Sequence, residues 1–255
     1  MLKVLMLDIE TAPKVAYVWG VWENNVFENQ IAQDSFILSW SAKWEGMDAF
    51  GEVVTGEEAK DCDDSRIMRK LWEVMNEADV IVGHNSNKFD IPIINTRFIV
   101  NNIPPPSPYR KVDTLVLAKR HFKFNWNKLD YLNRTLNGDK KAPTGGMQTW
   151  INCLKGDEAA LAKMLKYNLH DVELQEKLFV KLRPYVTGLP NMSVDFEQPS
   201  CPRCGGTHLH KRGYTYTNGA RYGRLRCVDC GGWSRGRKDT RTKTEKENTA
   251  MPISY

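Results

Sequence analysis

Residues 2–11 read Leu-Lys-Val-Leu-Met-Leu-Asp-Ile-Glu-Thr. Leu2, Val4, Leu5, Met6, Leu7 and Ile9 form a short apolar run, which predicts a buried strand over 2–9. Asp8 and Glu10 stand at its end. Side chains two apart on a strand share a face. Two carboxylates on one buried face repel each other and desolvate badly. A hard divalent cation with oxygen ligands, Mg²⁺ or Mn²⁺, resolves that repulsion. A solvated strand end would suit the same pair.

Outward from this strand, residues 36–43 and 49–54 read as further strands. Residues 64–77 suit a helix capped by Asp64, with Ile67, Leu71, Trp72 and Met75 on one face. A strand over 78–83 leads into a loop. A helix over 90–101 is ended by Pro104-Pro105-Pro106 and Pro108. Val112 to Arg120 and 128–136 are helical in pattern, and the polar, Gly-rich stretch 138–147 predicts a mobile loop. Over 157–182, Leu161, Met164, Leu165, Leu169, Val172 and Phe179 recur near helical spacing. Strands first and helices interspersed predict an α/β domain with a mixed sheet.

Two more acidic stations follow. Gly83-His84-Asn85-Ser86-Asn87-Lys88-Phe89-Asp90 also trails an apolar strand, and Asp90 fits a helix N-cap as well as a metal ligand. Tyr167-Asn168-Leu169-His170-Asp171 lies within the long helix. Tyr167 and Asp171 are four apart and share a face. His170 lies about 100° round from Asp171, which makes it a bystander.

The three stations in this order resemble the DnaQ-like 3′–5′ exonuclease superfamily, called DEDD for its four acids. The first motif is Asp8-Ile9-Glu10-Thr11, the second Asn85-x-x-x-Phe89-Asp90, and the third Tyr167-x-x-x-Asp171, which marks the tyrosine branch. The histidine branch would place His where this chain has Lys166. The set is most similar to the exonuclease domains of family-B DNA polymerases and their stand-alone relatives. Val112-Asp113-Thr114-Leu115 and Lys128-Leu129-Asp130-Tyr131-Leu132 also look like family segments, whereas region 12–60 carries no matching motif. The resemblance covers about residues 1–183. It implies an RNase H-like fold, a mixed sheet flanked by helices, and two Mg²⁺ or Mn²⁺ ions. It further implies that Asp8 bridges both ions, that Glu10 and Asp171 complete one site, and that Asp90 supports the other. Tyr167 would orient the nucleophile. Thr11, Asn85 and Phe89 would hold the terminal nucleotide, although Phe89 fits core packing equally well.

The 255 residues are too few for a polymerase with its own editing domain, and carry 36 Lys+Arg against 31 Asp+Glu. No run approaches the ~18 apolar residues of a membrane span, and a signal-peptide pattern is missing. A cytoplasmic protein without membrane contact is expected. Residues 201–255 hold 12 Lys/Arg and 4 Asp/Glu, so the basic charge is concentrated there. Four of the six cysteines, Cys201, Cys204, Cys227 and Cys230, lie in the same region. Two Cys-x-x-Cys knuckles so spaced predict one structural Zn²⁺, and the arrangement resembles a zinc ribbon. Four thiolates leave no open position for catalysis. Lys211, Arg212, Tyr214, Arg224 and Arg226 interleave charge with rings between the knuckles, as a nucleic-acid surface requires. An ordinary half-exposed β-ribbon would also favour tyrosine.

The expected organisation is an exonuclease domain over 1–183, a linker over 184–200, a zinc-ribbon module over 201–236, and a disordered basic tail over 237–255. The expected function is a stand-alone 3′–5′ exonuclease releasing nucleotides from single-stranded DNA, with RNA open. A polymerase or other replication or repair protein is a candidate partner. A nucleic-acid-binding adaptor on a scaffold fold and a structure-specific endonuclease are the alternatives.

Overall fold

The apolar run at the start forms β1 (Val4–Thr11), the middle strand of a five-stranded sheet. Val4 to Leu7 are all buried, because a central strand is covered on both faces and reads as a continuous apolar run. The computed structural model describes residues 2–22, 25–141, 143 and 145–251. They gather into two units, one spanning Lys3–Phe179 and the other starting at Val180.

In the first unit, β2 (Val15–Ala16) and β3 (Ile31–Gln33) form a separate antiparallel pair. β4 (Ile37–Trp44) and β5 (Ala49–Val53) follow, then α1 (Gly56–Asp61) and α2 (Ser65–Asn76). Next come β6 (Val80–Gly83), α3 (Asp90–Val100), β7 (Arg110–Asp113) and α4 (Thr114–His121). The unit closes with α5 (Leu129–Leu136), α6 (Met147–Leu154) and α7 (Glu158–Leu182), which runs on past Phe179. The sheet order is β5-β4-β1-β6-β7. β4 and β5 run antiparallel to their neighbours, and β6 and β7 run parallel to β1. This mixed sheet flanked by helices is RNase H-like. One face of β1 (Leu5, Leu7, Ile9) packs in a core with Ile67, Met68 and Leu71 of α2 and Ile94 and Phe98 of α3.

Several local expectations change. Asp64 stands at the N-cap of α2 but makes no capping bond. Its buried carboxylate instead takes a fork from Arg97 at 2.7 and 2.8 Å, Asn101 Nδ2 at 2.7 Å and the Ile37 amide at 2.9 Å. That satisfies a charge that burial would otherwise penalise. The loop expected over 138–147 is shorter, since α6 begins at Met147; Ala142 and Thr144 lie outside the described residues.

In the second unit, β8 (Leu209–Thr217), β9 (Ala220–Cys227) and β10 (Trp233–Asp239) form an antiparallel sheet ordered β10-β9-β8. The pattern predicts disorder from residue 237. The chain instead continues β10 to Asp239 and forms α8 (Lys243–Glu247), capped by Thr242 and Glu245. Residues 252–255 of that tail lie outside the described residues. Among the described residues, no helix is long and apolar enough to cross a membrane.

Candidate active site and metal centre

The polar end of β1 faces α7. Asp8 Oδ2 accepts from Asn168 Nδ2 at 2.6 Å, and its Oδ1 accepts from Gln175 Nε2 at 2.9 Å. Asn168 is itself held, because Ser41 Oγ donates to its main-chain carbonyl at 2.7 Å and Ser39 Oγ to its Oδ1 at 3.3 Å. Asn168, Asp171 and Gln175 share one face of α7 by their spacing. Asp171 therefore comes down between the two amides that orient Asp8. One oxygen from each of Asp8, Glu10 and Asp171 lies within 4.8 Å of the others.

Asp90 stands outside that trio. It is the first residue of α3, one past Phe89 at the N-cap, so it is not the capping residue. Its Oδ1 accepts from the Ile9 amide of β1 at 3.2 Å, which ties the second station to the first. Tyr167 Oη accepts from Lys141 Nζ at 2.9 Å, and the same ammonium donates to Asp171 Oδ2 at 2.5 Å.

Burial sets the electrostatics. It holds Asp8 well above the usual carboxylate range, reinforced by Asp90, Asp171 and Glu10. It pushes Glu10 up to about 7, with Asp171 adding to the effect. Asp90 is likewise pushed up to about 7 by burial. Asp171 is raised by burial, although Lys141 pulls it back. Burial by itself would lower Lys141, but Asp171 and Tyr167 keep it above its ordinary value, so the ammonium stays charged. Tyr167 is pushed by burial up to about 12 and is a neutral phenol near pH 7.

This donor set fits a hard divalent cation. Its oxygens are close and mutually repelling, the Lys141 ammonium offsets only part of their charge, and Asp171 Oδ1 is buried without a hydrogen-bond partner. Asp8, Glu10 and Asp171 are the residues that would hold an ion.

A pH test follows from Glu10. Its folded value near 7 lies above the value near 4.5 of an exposed glutamate. The folded state then binds the extra proton, and stability falls as pH rises through that window. In the metal-free protein, Glu10→Gln is expected to match wild type near pH 4.5 and to exceed it by ~2 kcal/mol at pH 8. Denaturant titrations at both pH values measure the gap; a pH-independent gap would contradict the placement of Glu10.

The remaining expected substrate residues are dispersed around this cluster. Thr11 sits where the β1–β4 register shifts. Asn85 adopts a left-handed conformation (φ 67°), and its amide donates to Asp113 Oδ1 at 2.9 Å. Phe89 is 42% exposed, so core packing does not account for it. Beside Lys141 opens a groove of about 610 Å³, lined by His84, Asn85, Lys119 and Trp126 among others. His170 contacts Lys140 and Glu173 and stays out of the acid cluster.

The four cysteines also converge. Cys201 and Cys230 Sγ are 3.7 Å apart, as are Cys204 and Cys227 Sγ. A tetrahedron of thiolates at about 2.3 Å from zinc has S···S edges of about 3.8 Å; these two edges match it, and all four sulfurs lie within 4.8 Å of one another. The knuckles repeat one conformation. Gly206 and Gly232 amides each donate to the second cysteine's sulfur at 3.4 Å, while Gly205 and Gly231 each take φ +75°. A side chain is strained at that φ, so glycine is required there. His208 is exposed and bonds Asp229, which leaves the four cysteines as the group that could hold a metal ion.

A family model described as the RNase_H superfamily matches residues 5–183, well over half of the chain. The chain belongs to the RNase_H superfamily. Among solved structures, its fold is similar to that of the family B DNA polymerase from the hyperthermophilic archaeon Pyrobaculum calidifontis. That match has 18% identity and a TM-score of 0.53, and covers 85% of this chain. The chain spans only 31% of the polymerase. No curated protein matches it.

This RNase_H-superfamily chain uses residues that the motifs did not name. Lys141 comes from the polar stretch expected only to be a loop. Asn168 and Gln175 were legible only as polar positions in phase with Asp171. Asp113 accepts from the amides of Asn85, Asn87, Leu115 and Val116, and so ties the second motif to α4. In the ribbon, the expected binding residues are divided. Lys211 and Tyr214 pair with Leu225 and Gly223, whereas Arg224 and Arg226 alternate to the other face of β9.

Proposed function

We propose that the chain is a metal-dependent 3′–5′ exonuclease that releases nucleotides from single-stranded DNA. The observation that carries this reading is the convergence of the Asp8, Glu10 and Asp171 carboxylates, with Asp171 Oδ1 left without a hydrogen-bond partner. Two Mg²⁺ or Mn²⁺ ions fit the roles, one on Asp8, Glu10 and Asp171, the other on Asp8 with support from Asp90. When bound, such ions acidify the attacking water and neutralise charge on the scissile phosphate and leaving oxygen.

The chain's own groups do the positioning. Asn168 and Gln175 fix the Asp8 carboxylate, so both its oxygens keep their directions. Tyr167, a neutral phenol, orients the attacking water through its hydroxyl and is not the base. Lys141 places a permanent positive charge beside the carboxylates, where negative charge grows on the phosphate. Thr11, Asn85 and Phe89 hold the terminal nucleotide, and an exposed Phe89 ring stacks on any base. One Zn²⁺ on Cys201, Cys204, Cys227 and Cys230 shapes a ribbon that retains the strand. The polymerase likeness favours DNA and a replication or repair setting.

Tyr167→Phe removes one hydrogen bond and leaves the ion ligands intact. It is expected to lower turnover by about three- to tenfold while metal affinity stays at the wild-type value. Single-turnover kinetics at saturating metal measure this, and unchanged turnover would remove Tyr167 from the mechanism. The whole reading is tested by digesting 5′- and 3′-labelled DNA and RNA, single- and double-stranded, with either metal. Mononucleotides released from the 3′ end of single-stranded DNA are expected. Internal fragments would indicate an endonuclease, and no products would indicate a binding protein on this fold.

A further inference from the structure

The ribbon sheet has two faces of unlike chemistry. Register and alternation place Tyr222, Arg224, Arg226, Trp233 and Arg235 on one side, with Asp239, already bonded to Arg241, across from Tyr222. Among the described residues, none of Arg224, Arg226, Arg235 and Arg237 forms an ion pair with an acid. Arg224 stands directly across from Arg235 on the neighbouring strand. Like charges so placed destabilise a sheet unless an anion lies between them.

The rings are held by these same cations. The Arg235 guanidinium lies 4.0 Å from the Tyr222 ring centroid, and the Arg224 guanidinium lies 5.2 Å from that of Trp233. A guanidinium laid on a ring keeps its N–H edge free for phosphate; Arg224 Nε donates to the Arg212 carbonyl at 2.9 Å, which leaves its terminal nitrogens for that role. Beside them runs an open groove of about 500 Å³, lined by Tyr222, Trp233, Arg235 and Arg237 and by residues 186–189 and 191. Trp233 is 47% exposed there.

On the other face the arginine is already engaged, and Lys211 lies over the Tyr214 ring, 5.6 Å from its centroid. Arg221 lies over Tyr214, and its guanidinium bonds both Glu245 oxygens at 3.2 and 3.3 Å and the Thr240 carbonyl at 3.2 Å. Its charge is satisfied within the chain.

We infer that the β9–β10 face, and not the β8 face with Lys211 and Tyr214, is the surface on which the ribbon holds single-stranded nucleic acid. A base stacks on Trp233 in the groove, and neighbouring phosphates lie on Arg224, Arg235 and Arg237. This rests on the nuclease reading above and adds to it the site of strand retention. Stacking and backbone contacts of this kind read no sequence and serve DNA and RNA alike.

The test uses the zinc-loaded full chain carrying Asp8→Asn, so that the probe survives. Anisotropy with labelled oligo-dT and oligo-rU is followed across a salt titration. Trp233→Ala is expected to weaken binding about tenfold or more. Arg235→Gln with Arg237→Gln is expected to reduce the log–log salt slope by about 1.4. Lys211→Gln with Tyr216→Ala, the latter an exposed ring that stands across from Arg221 on the β8 face, is expected to bind as the parent does. Wild-type zinc content in each variant reports a folded module, and the arginine pair, being exposed, guards against misfolding of the Trp233 variant. Preference between the two probes identifies which strand the face favours. Weakening confined to the β8-face variant overturns the inference, as does binding that no β9–β10 variant weakens. Hydrolysis of labelled strands by the wild-type chain judges the nuclease reading separately.

Discussion

Asp171→Ala is expected to reduce metal-dependent hydrolysis to below about one-thousandth of wild type. Loss of a single transition-state hydrogen-bond donor costs about 10²–10³, and this change removes one of the three proposed ion ligands outright. The fold should survive it. Asp171 adds to the repulsion on Asp8 and Glu10, so its removal relieves that crowding. The partner it leaves is Lys141, whose side chain is 29% exposed and can turn to water. Asp8→Ala should abolish activity equally but cost more stability. It strands the Asn168 and Gln175 amides, which lose their acceptor at about 1–3 kcal/mol for an unpaired buried group. Single-turnover assays beside thermal melts separate the two effects. Full turnover by a folded Asp171→Ala protein would remove this site from the chemistry.

Cys227→Ser is expected to abolish stoichiometric zinc binding and to unfold the three-stranded ribbon. A structural zinc site contributes about 10–16 kcal/mol in small modules. The sheet has little else to hold it, since β8 buries no side chain and β9 only Cys227. Zinc content by metal analysis and protease sensitivity beyond residue 200 would report the loss. The acid cluster draws on none of these residues, so hydrolysis of a short oligonucleotide is expected to continue. A fully folded, zinc-free ribbon in the Cys227→Ser protein would refute a structural role for the metal.

Much of the first unit was legible because its signals are local. The apolar run 4–7, the acids at 8 and 10, and the periodicity of α7 are properties of neighbouring residues. So is the spacing of the cysteines. Two missed helices also had local signals, since Thr55-x-x-Glu58 and Thr242-x-x-Glu245 are capping boxes at the starts of α1 and α8. β7 was harder to see. Its first two residues, Arg110 and Lys111, are exposed on an edge strand and carry no apolar pattern.

The sequence by itself determined the proposed donor types, carboxylates and thiolates, and the β-strand and helix that carry most of the acids. Only the tertiary structure decided which groups surround them. Lys141 reaches Tyr167 and Asp171 across 26 and 30 residues, and Asn168 and Gln175 reach Asp8 across 160 and 167. Such partners satisfy buried charge, and no short-range pattern marks them. The ribbon makes the same point. Its sequence showed cations among aromatic rings, but the register of β8 and β10 on β9 sorted them to two faces. One face has its arginine paired with Glu245; the arginines of the other form no ion pair with an acid among the described residues. Charge composition is additive along a chain, whereas an electrostatic surface depends on which side chains the pleat turns to the same side.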